Sequence, residues 1–435
     1  MKEPSGNKTF DPGPLIMLGV TVLCALALLL FGNGDPGRHP APAPVTSTPF
    51  PAPAGLRIAV ASDLHLDPDN VDKSGEPPET VYNLELADAL LWDARAQGAE
   101  ILLLTGDLVN GGKLHKHRAL IEKLSRAEDA GLAVYVLPGN HDLAPVSQAE
   151  FAALYGPFGY DEACSRDPAS LSYCVRREDL MLLMMDTGGY APGAVDLPGS
   201  GMPESGEAFL SEATLGWAEE QLTQARQQGL HVLCAGHYNL LSELSRQPGS
   251  GFYLENADRF AGLLREYGVP LYLSGHMHIS AVTQTAGLTE LLTPYLLAYP
   301  TGYTVLDLTE TTLHFTPRRI DVNAWARETG RQDPVLLDFA AWQQEGLRSY
   351  SAENVRYMAE RNPLSAREQE QAAAFFYAVM DAFWDGSLYD RRGELEAMAG
   401  YGPFFRCAES YSYSWWLKDL IQSASPLLRG FTLKW

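Results

Sequence analysis

The tetrapeptide Gly139-Asn140-His141-Asp142 constrains the fold most, because it directly follows an apolar run, LAVYVL, that has the length of a buried strand. Pro138 and Gly139 end that run abruptly. Asn140 and His141 are thereby placed at the carboxyl end of a strand, where the loops of an open α/β sheet form a crevice that collects ligands and metal ions. One such tetrapeptide is a weak signal, but four similar clusters occur elsewhere in the chain.

Each of the other clusters also follows a short apolar segment with the length of a strand. They are Asp63-Leu64-His65, Gly106-Asp107, Gly236-His237 and Gly275-His276-Met277-His278. Positions i and i+2 of an extended segment point to the same side, so Asp63 and His65 are able to serve one site. Helical periodicity separates the first three strands, and this alternation predicts parallel neighbours in one sheet. Antiparallel strands up to about residue 318 are expected to complete a second sheet.

The clusters together supply eight side chains that suit metal binding or proton transfer. They are Asp63, His65, Asp107, Asn140, His141, His237, His276 and His278. Such a set is large enough for two metal ions about 3.5 to 4 Å apart, the arrangement used for phosphoester hydrolysis. A carboxylate such as that of Asp107 is able to bridge two ions, and imidazole ligands suit Mn, Fe or Zn. Two ions generate hydroxide near neutral pH, and a histidine that is not a ligand protonates the leaving oxygen.

The ordered motifs DLH, GDLVNGG, GNHD, GHY and GHMH resemble the signature of the calcineurin-like metallophosphoesterases over roughly residues 56–318. The resemblance implies two mixed β-sheets packed face to face with helices outside, an α/β (α+β) architecture. It implies one metal ion on Asp63, His65, Asp107 and His278, and a second on Asp107, Asn140, His237 and His276. His141 is then the unligated general acid, and Asp142 has no assigned role.

Within that superfamily the chain is most similar to the bacterial membrane-anchored class III cyclic-nucleotide phosphodiesterases. These also carry stretches like FGYDEA at 158–163 and SLSY at 170–173. The resemblance implies hydrolysis of a small phosphodiester, with a cyclic nucleotide as the expected substrate. Two alternatives stay open. One is a phosphomonoesterase or pyrophosphatase acting on lipid or envelope precursors, and the other is an anchored interaction protein with a vestigial metal site.

The N-terminal part of the chain is expected to hold a membrane anchor. No charged residue falls between Asp11 and Asp35, and residues 15–31 are sufficiently long and apolar for one transmembrane helix. A cleaved signal peptide is the main alternative, but its apolar region is usually shorter. Lys2 and Lys8 precede the anchor and Arg38 follows it, and this charge bias predicts a single-pass cell-membrane protein with its body outside the cytoplasm.

Beyond about residue 320 the strand signals stop, and helical periods rich in aromatic residues predict a C-terminal all-helical domain. The predicted organisation is a tail (1–14), a transmembrane anchor (15–31), a Pro/Ala-rich linker (32–55), a metallophosphoesterase domain (56–319) and a helical domain (320–435). Repeated proline favours an extended linker.

Charge and cysteine content narrow the possible partners. The chain has 54 acidic and 32 basic residues and a formal net charge of −22, which argues against a nucleic-acid polymer as partner. The five cysteines show no CxxC spacing, although Cys164 and Cys174 are able to pair outside the cell. His115 and His117 follow the Asp107 motif and are weaker candidates for substrate contact.

Overall fold

The computed structural model describes residues 55–70, 78–143, 145–188, 208–241, 253–411 and 413–435. The predicted tail, the predicted anchor at 15–31 and all of the linker except Gly55 lie outside the described residues. In the described part of the chain, no helix combines the length and the apolar character that crossing a bilayer requires.

Two β-sheets form the centre of the body. Their strands, in chain order, are β1 Leu56–Ala61, β2 Ile101–Thr105, β3 Ala133–Leu137, β4 Ser165–Arg166, β5 Tyr173–Arg177, β6 Leu180–Met184, β7 His231–Ala235, β8 Leu271–Ser274, β9 Ala281–Thr285, β10 Leu288–Leu292, β11 Gly302–Leu308, β12 Thr312–Arg319 and β13 Phe431–Lys434. One sheet has the order β13-β12-β11-β1-β2-β3, and the other has the order β4-β5-β6-β7-β8-β10-β9. Each contains parallel and antiparallel pairs, so the predicted pair of mixed sheets is confirmed. The prediction that all antiparallel strands up to about residue 318 complete the second sheet was wrong for β11 and β12. These two strands extend the first sheet, because β11 pairs with β1 and β12 pairs with β11.

Helices cover the outer faces of the sheets and continue into the C-terminal domain. They are α1 Asn83–Ala96, α2 Leu114–Asp129, α3 Gln148–Leu154, α4 Glu212–Gln228, α5 Ala257–Glu266, α6 Val322–Glu328, α7 Pro334–Leu337, α8 Phe339–Arg361, α9 Ala366–Trp384, α10 Leu388–Glu396, α11 Tyr401–Cys407 and α12 Tyr413–Ser423. The first sheet follows the predicted strand–helix order, because α1 and α2 connect the parallel strands β1, β2 and β3.

The second sheet separates two apolar cores, and alternate residues of β6 face each of them. Leu182 and Met184 lie in the core between the two sheets. Met181 and Leu183 pack with α4 and α5 on the outer side. Because both faces are covered, β6 is apolar throughout. The polar site residues are therefore found in the loops beyond the strand ends.

The prediction of a C-terminal helical domain is confirmed, with α8, α9, α11 and α12 around their own apolar core. The prediction that the whole segment from 320 to 435 is helical was wrong for its end. The chain returns to the first sheet as β13, where Phe431 pairs with Phe315 and Leu433 pairs with Leu313. Strand β12 would otherwise expose unpaired backbone groups at the sheet edge, and β13 covers residues 312–315 of it.

Candidate metal centre

The predicted site residues meet at one edge of the body, where carboxyl ends of strands from both sheets converge. Each lies in the loop after a strand: Asp63 and His65 follow β1, Asp107 follows β2, Asn140 and His141 follow β3, His237 follows β7, and His276 and His278 follow β8. This arrangement is the one expected at the ligand-binding edge of an α/β sheet.

The candidate first metal position consists of Asp63, His65, Asp107 and His278, which are all buried and offer ligand atoms within 4.8 Å of one another. The Nε2 atoms of His65 and His278 face each other at 3.3 Å. His278 Nε2 lies 3.2 Å from Asp63 Oδ1, and His65 Nε2 lies 3.4 Å from Asp107 Oδ2. Among the described residues, the buried Asp63 Oδ1 has no hydrogen-bond donor. A bound cation would satisfy this oxygen and both imidazole nitrogens, so the residues fit a metal ion.

The candidate second metal position consists of Asp107, Asn140, His237 and His276. The Nε2 atom of His237 lies 3.3 Å from Asp107 Oδ2 and 3.1 Å from the amide oxygen of Asn140. Asp107, His237 and His276 also place ligand atoms within 4.8 Å of one another. The Oδ2 atom of Asp107 therefore approaches a histidine of each position. This arrangement fits a carboxylate shared by two metal ions.

Five of the ligands adopt left-handed backbone conformations. The φ angles are 52° at Asp63, 40° at His65, 49° at Asp107, 64° at His276 and 58° at His278. Residues with a side chain avoid this region, and each such residue costs on the order of 1–3 kcal/mol. Hydrogen bonds between the loops offset this cost: Asp63 N–H donates to the Gly106 carbonyl (3.0 Å), and His65 N–H donates to the Asp107 carbonyl (2.9 Å).

Two motif glycines are required by close approach to the ligands. A Cβ atom on Gly106, which has φ 94°, would lie 2.6 Å from Nδ1 of His237. A Cβ atom on Gly139 would collide with the carboxylate of Asp107. Any larger residue at either position would therefore displace a ligand of the second metal position.

The charge states of the ligands suit cation binding. Burial raises the pKa of Asp63, but the adjacent His278 outweighs burial and lowers that pKa to about 2. Burial lowers the pKa of His65 to about 3, so its imidazole is neutral. Burial also opposes the charged form of His237, but Asp107 outweighs it and raises the pKa of His237 to about 9. A metal ion held by His237 would therefore displace a proton.

His141 lies beside the ligands without joining either cluster. Its half-buried ring is 4.7 Å from that of His65, in an edge-on arrangement. Its backbone N–H donates to Asp107 Oδ1 at 2.8 Å, which fixes the main chain at this point. The role of His141 as general acid stays a prediction.

Asp142 joins two ligand loops, a role that was not predicted. Its buried carboxylate accepts hydrogen bonds from the backbone N–H groups of Leu108 (3.1 Å), Val109 (3.0 Å) and Gly139 (2.8 Å). Two of these donors follow Asp107, and the third lies in the loop after β3. One side chain thus connects the two loops. The position of Asp142 inside the GNHD motif was the only feature of the sequence that indicated such a role.

The weaker histidine candidates have structural partners. His117 is buried, with Nε2 3.0 Å from the Asp142 carbonyl oxygen and Nδ1 2.9 Å from the Tyr155 hydroxyl. Burial lowers the pKa of His117 to about 4, so the ring is neutral. His115 is exposed and pairs with Asp69 at 3.0 Å. The structure therefore places His117 in support of Asp142.

Glu290 is a second supporting carboxylate without a predicted role. It is fully buried on β10 and accepts hydrogen bonds from Ser274 Oγ (2.7 Å), Leu240 N–H (3.0 Å) and Leu241 N–H (2.5 Å). Ser274 precedes the GHMH motif, and Leu240 follows the motif of His237, so Glu290 holds the bases of two ligand loops. Burial raises the pKa of Glu290 to about 7 despite these donors.

Comparison with known families agrees with this geometry. Residues 56–280 match the family model described as calcineurin-like phosphoesterase. Residues 321–424 match the model described as the C-terminal domain of cyclic nucleotide phosphodiesterase. Fold, site and matches together define a metal-dependent hydrolase of phosphoric esters. The chain belongs to the calcineurin-like phosphoesterase family, as its motifs predicted, and its buried Asp/His cluster suits a dinuclear metal site.

Solved structures that match the chain include a dimetal phosphatase from Danio rerio, with 13% identity, a TM-score of 0.44, and coverage of 61% of this chain and 96% of that chain. They also include a purple acid phosphatase from yellow lupin seeds, with 12% identity, a TM-score of 0.40, and coverage of 62% and 52%. A search of curated proteins gave no match.

Proposed function

We propose that the chain is a phosphodiesterase that hydrolyses a small phosphodiester, and that a cyclic nucleotide is its substrate. The observation that supports the diester is the pairing of a two-position metal centre with a C-terminal region similar to that of cyclic nucleotide phosphodiesterases. The alternative of a vestigial metal site is disfavoured, because two groups of Asp and His side chains lie close enough together to hold metal ions.

When bound, the two metal ions supply positive charge that polarises the phosphoryl oxygens and activates water. The side chains contribute orientation and proton transfer. Asp107 is shared by both positions, so it keeps them adjacent. Asn140 offers a neutral amide oxygen, which limits the negative charge at the second position. His141 is free of both clusters, and in this proposal its ring donates a proton to the leaving oxygen.

The test uses the full-length chain loaded separately with Mn²⁺, Fe²⁺ or Zn²⁺. We expect faster turnover of bis(p-nitrophenyl) phosphate than of p-nitrophenyl phosphate, and turnover of a 2′,3′- or 3′,5′-cyclic nucleotide. Absence of diester hydrolysis with all three metals would overturn the proposal. Preferred hydrolysis of the monoester or of pyrophosphate would favour the phosphomonoesterase or pyrophosphatase alternative.

We also propose that residues 15–31 anchor the enzyme in the cell membrane, with the body outside the cytoplasm. The uninterrupted apolar segment and the lysines before it support this proposal. After expression in a bacterial host, we expect the chain in the membrane fraction, and we expect protease added to spheroplasts to digest the body. Recovery of the full-length chain in the soluble fraction would contradict the anchor, and protection from the protease would contradict the orientation.

A further inference from the structure

The loop between β10 and β11, residues 293–301, passes directly beside the first metal position. Tyr295 forms a β-bridge with Ser62, the residue that precedes Asp63. The Tyr295 ring stacks on the His278 ring, with centroids 4.5 Å apart and planes 15° apart. It also meets the His65 ring edge-on at 5.3 Å. One buried aromatic side chain therefore contacts two ligands of the first metal position.

His278 has an unusual environment for a metal-binding histidine. A ligating histidine normally donates its second ring N–H to a carboxylate, a carbonyl or water, and that bond orients the ring. Nδ1 of His278 is buried, and no described residue gives it a hydrogen bond. In contrast, Nδ1 of His237 lies 2.9 Å from the Thr105 carbonyl oxygen. Packing of the Tyr295 ring therefore helps to orient the His278 ring, in place of a hydrogen bond at Nδ1.

The other end of the loop is attached to the helical domain. The Tyr299 hydroxyl donates to Asp381 Oδ1 on α9 at 2.5 Å. Gln343 Nε2 on α8 donates to the Thr301 hydroxyl at 2.8 Å, and both side chains are buried. Tyr299 also belongs to the apolar core of the helical domain. Two helices therefore hold the loop four and six residues beyond Tyr295.

We propose that the helical domain is a brace for the metal centre: it positions the 293–301 loop so that Tyr295 holds His278 and His65 in their ligating orientations. Tyr295 is then a positioning residue, and the domain sets the metal affinity of the first position. The proposal depends on the metal centre and is independent of which ester is hydrolysed.

The test measures metal content, by elemental analysis, after the full-length chain is dialysed against graded chelator. Tyr295→Ala should weaken retention of one of two ions roughly 10- to 100-fold, the usual effect of removing an outer partner of a metal ligand. Tyr295→Phe keeps the stacked ring and should retain both ions. Equal loss in these two variants would overturn the role of stacking.

Tyr299→Phe tests the contribution of the helical domain without removing a ring. It deletes the hydroxyl that reaches Asp381 and should weaken retention of the same ion. Tyr389→Phe is the matched control, because the exposed Tyr389 lies on α10 of the helical domain and packs against Arg392. Metal retention equal to wild type in Tyr299→Phe would overturn the brace, and so would equal losses in Tyr299→Phe and Tyr389→Phe.

A separate observation concerns Cys164 and Cys174. Their sulfur atoms lie 3.1 Å apart, and Cys164 N–H donates to the Cys174 carbonyl at 2.9 Å. A disulfide requires a sulfur–sulfur distance of about 2.05 Å, so a small side-chain adjustment is sufficient. Cys164 is exposed and Cys174 is buried, which suits them for successive steps of thiol–disulfide exchange.

We propose that these two residues form an intramolecular disulfide with a small disulfide or a thiol–disulfide oxidoreductase as oxidant. The Cys164 thiolate attacks the oxidant disulfide and releases one thiol. The Cys174 thiolate then attacks the Cys164 sulfur and releases the second thiol. The two cysteines lose two electrons and two protons in total, and the oxidant disulfide is reduced to two thiols. The new bond closes the loop that contains Ser172. The Ser172 hydroxyl accepts a hydrogen bond from the Asp186 N–H. The next residue, Thr187, accepts a hydrogen bond from the His237 N–H, so this loop lies near the His237 loop.

The test treats the reduced full-length chain with oxidised glutathione, alkylates the remaining thiols under denaturing conditions, and maps peptides by mass spectrometry. We expect a Cys164–Cys174 linked peptide and a higher Tm than that of the reduced chain. The Tm increase should be absent in Cys164→Ser. The buried Cys234 and Cys407 should stay alkylatable and serve as internal controls. Alkylation of both candidate cysteines, or glutathione adducts without the link, would overturn the proposal.

Discussion

The two metal positions are held by different parts of the molecule. At the second position, His237 is oriented by hydrogen bonds, with Nδ1 2.9 Å from the Thr105 carbonyl and its backbone N–H 3.1 Å from the Thr187 hydroxyl. At the first position, His278 is oriented by stacking on Tyr295. The two β-sheets and their loops therefore support the second position directly. The first position depends on the 293–301 loop, which is attached to the helical domain.

This difference has a consequence for metal affinity. A hydrogen bond to the second ring nitrogen fixes the tautomer and the direction of the metal-binding lone pair. Stacking fixes the plane of the ring but leaves its rotation in that plane less restricted. The second position is thus pre-organised by the fold, and the first position is adjustable through the helical domain. We expect the two ions to differ in the ease with which a chelator removes them.

The largest effect is expected from Asp107→Asn, because Asp107 is the side chain shared by both positions. The substitution removes a negative charge and should release both ions at chelator concentrations that leave wild type loaded. The loss should exceed the roughly 10- to 100-fold cost of substituting an outer-shell residue. Elemental analysis and diesterase assays measure the outcome.

Asp63→Asn is the matched control, since Asp63 belongs to the first position alone. It should release one ion and leave the second bound. Retention of two ions in Asp107→Asn, or loss of two in Asp63→Asn, would show that the positions are divided differently.

His141→Ala should affect turnover without affecting either position. We expect turnover to fall roughly 10²- to 10⁴-fold, the range for loss of a general acid, with both ions retained. The fall should be smaller for a diester that releases p-nitrophenolate, because this leaving group needs little protonation. His115→Ala removes an exposed histidine paired with Asp69 and should behave like wild type. Loss of an ion in His141→Ala would identify the residue as a ligand.

The ligands were predictable from sequence because each follows a strand directly in the chain. Short apolar runs locate strand ends, and Asp107 or His237 needs no distant residue to be recognised there. Tyr295 and Glu290 had no comparable signal, because their contacts arise only when separate strands and loops are assembled. The last strand, β13, escaped prediction for the same reason. Four residues specify a strand weakly, and β13 forms by pairing with β12, which lies far earlier in the chain.

Asp142→Asn tests how far the second position depends on hydrogen bonds. The carboxylate accepts three backbone N–H groups, and an amide replaces one acceptor with a donor that opposes them. We expect metal retention to fall on the order of 10-fold, more at the second position, which takes ligands from both connected loops. Asp129→Asn, an exposed carboxylate at the end of α2, is the control. Equal weakening of both positions would contradict the distinction between them.

The smallest effect is expected from Glu290→Gln, and it depends on pH. The folded-state pKa of Glu290 is about 7, above its ordinary value of 4.5. The folded chain therefore holds a proton that the unfolded chain releases. The stabilisation of the folded chain by protonated Glu290 is at its maximum below pH 4.5 and is lost as pH rises through 7. Glutamine does not titrate, so the Tm of wild type relative to Glu290→Gln should decrease between these pH values. Calorimetry across this pH range measures the difference in Tm. If the Tm values of the two proteins changed with pH in parallel, Glu290 would hold the His237 loop without a change in its protonation on unfolding.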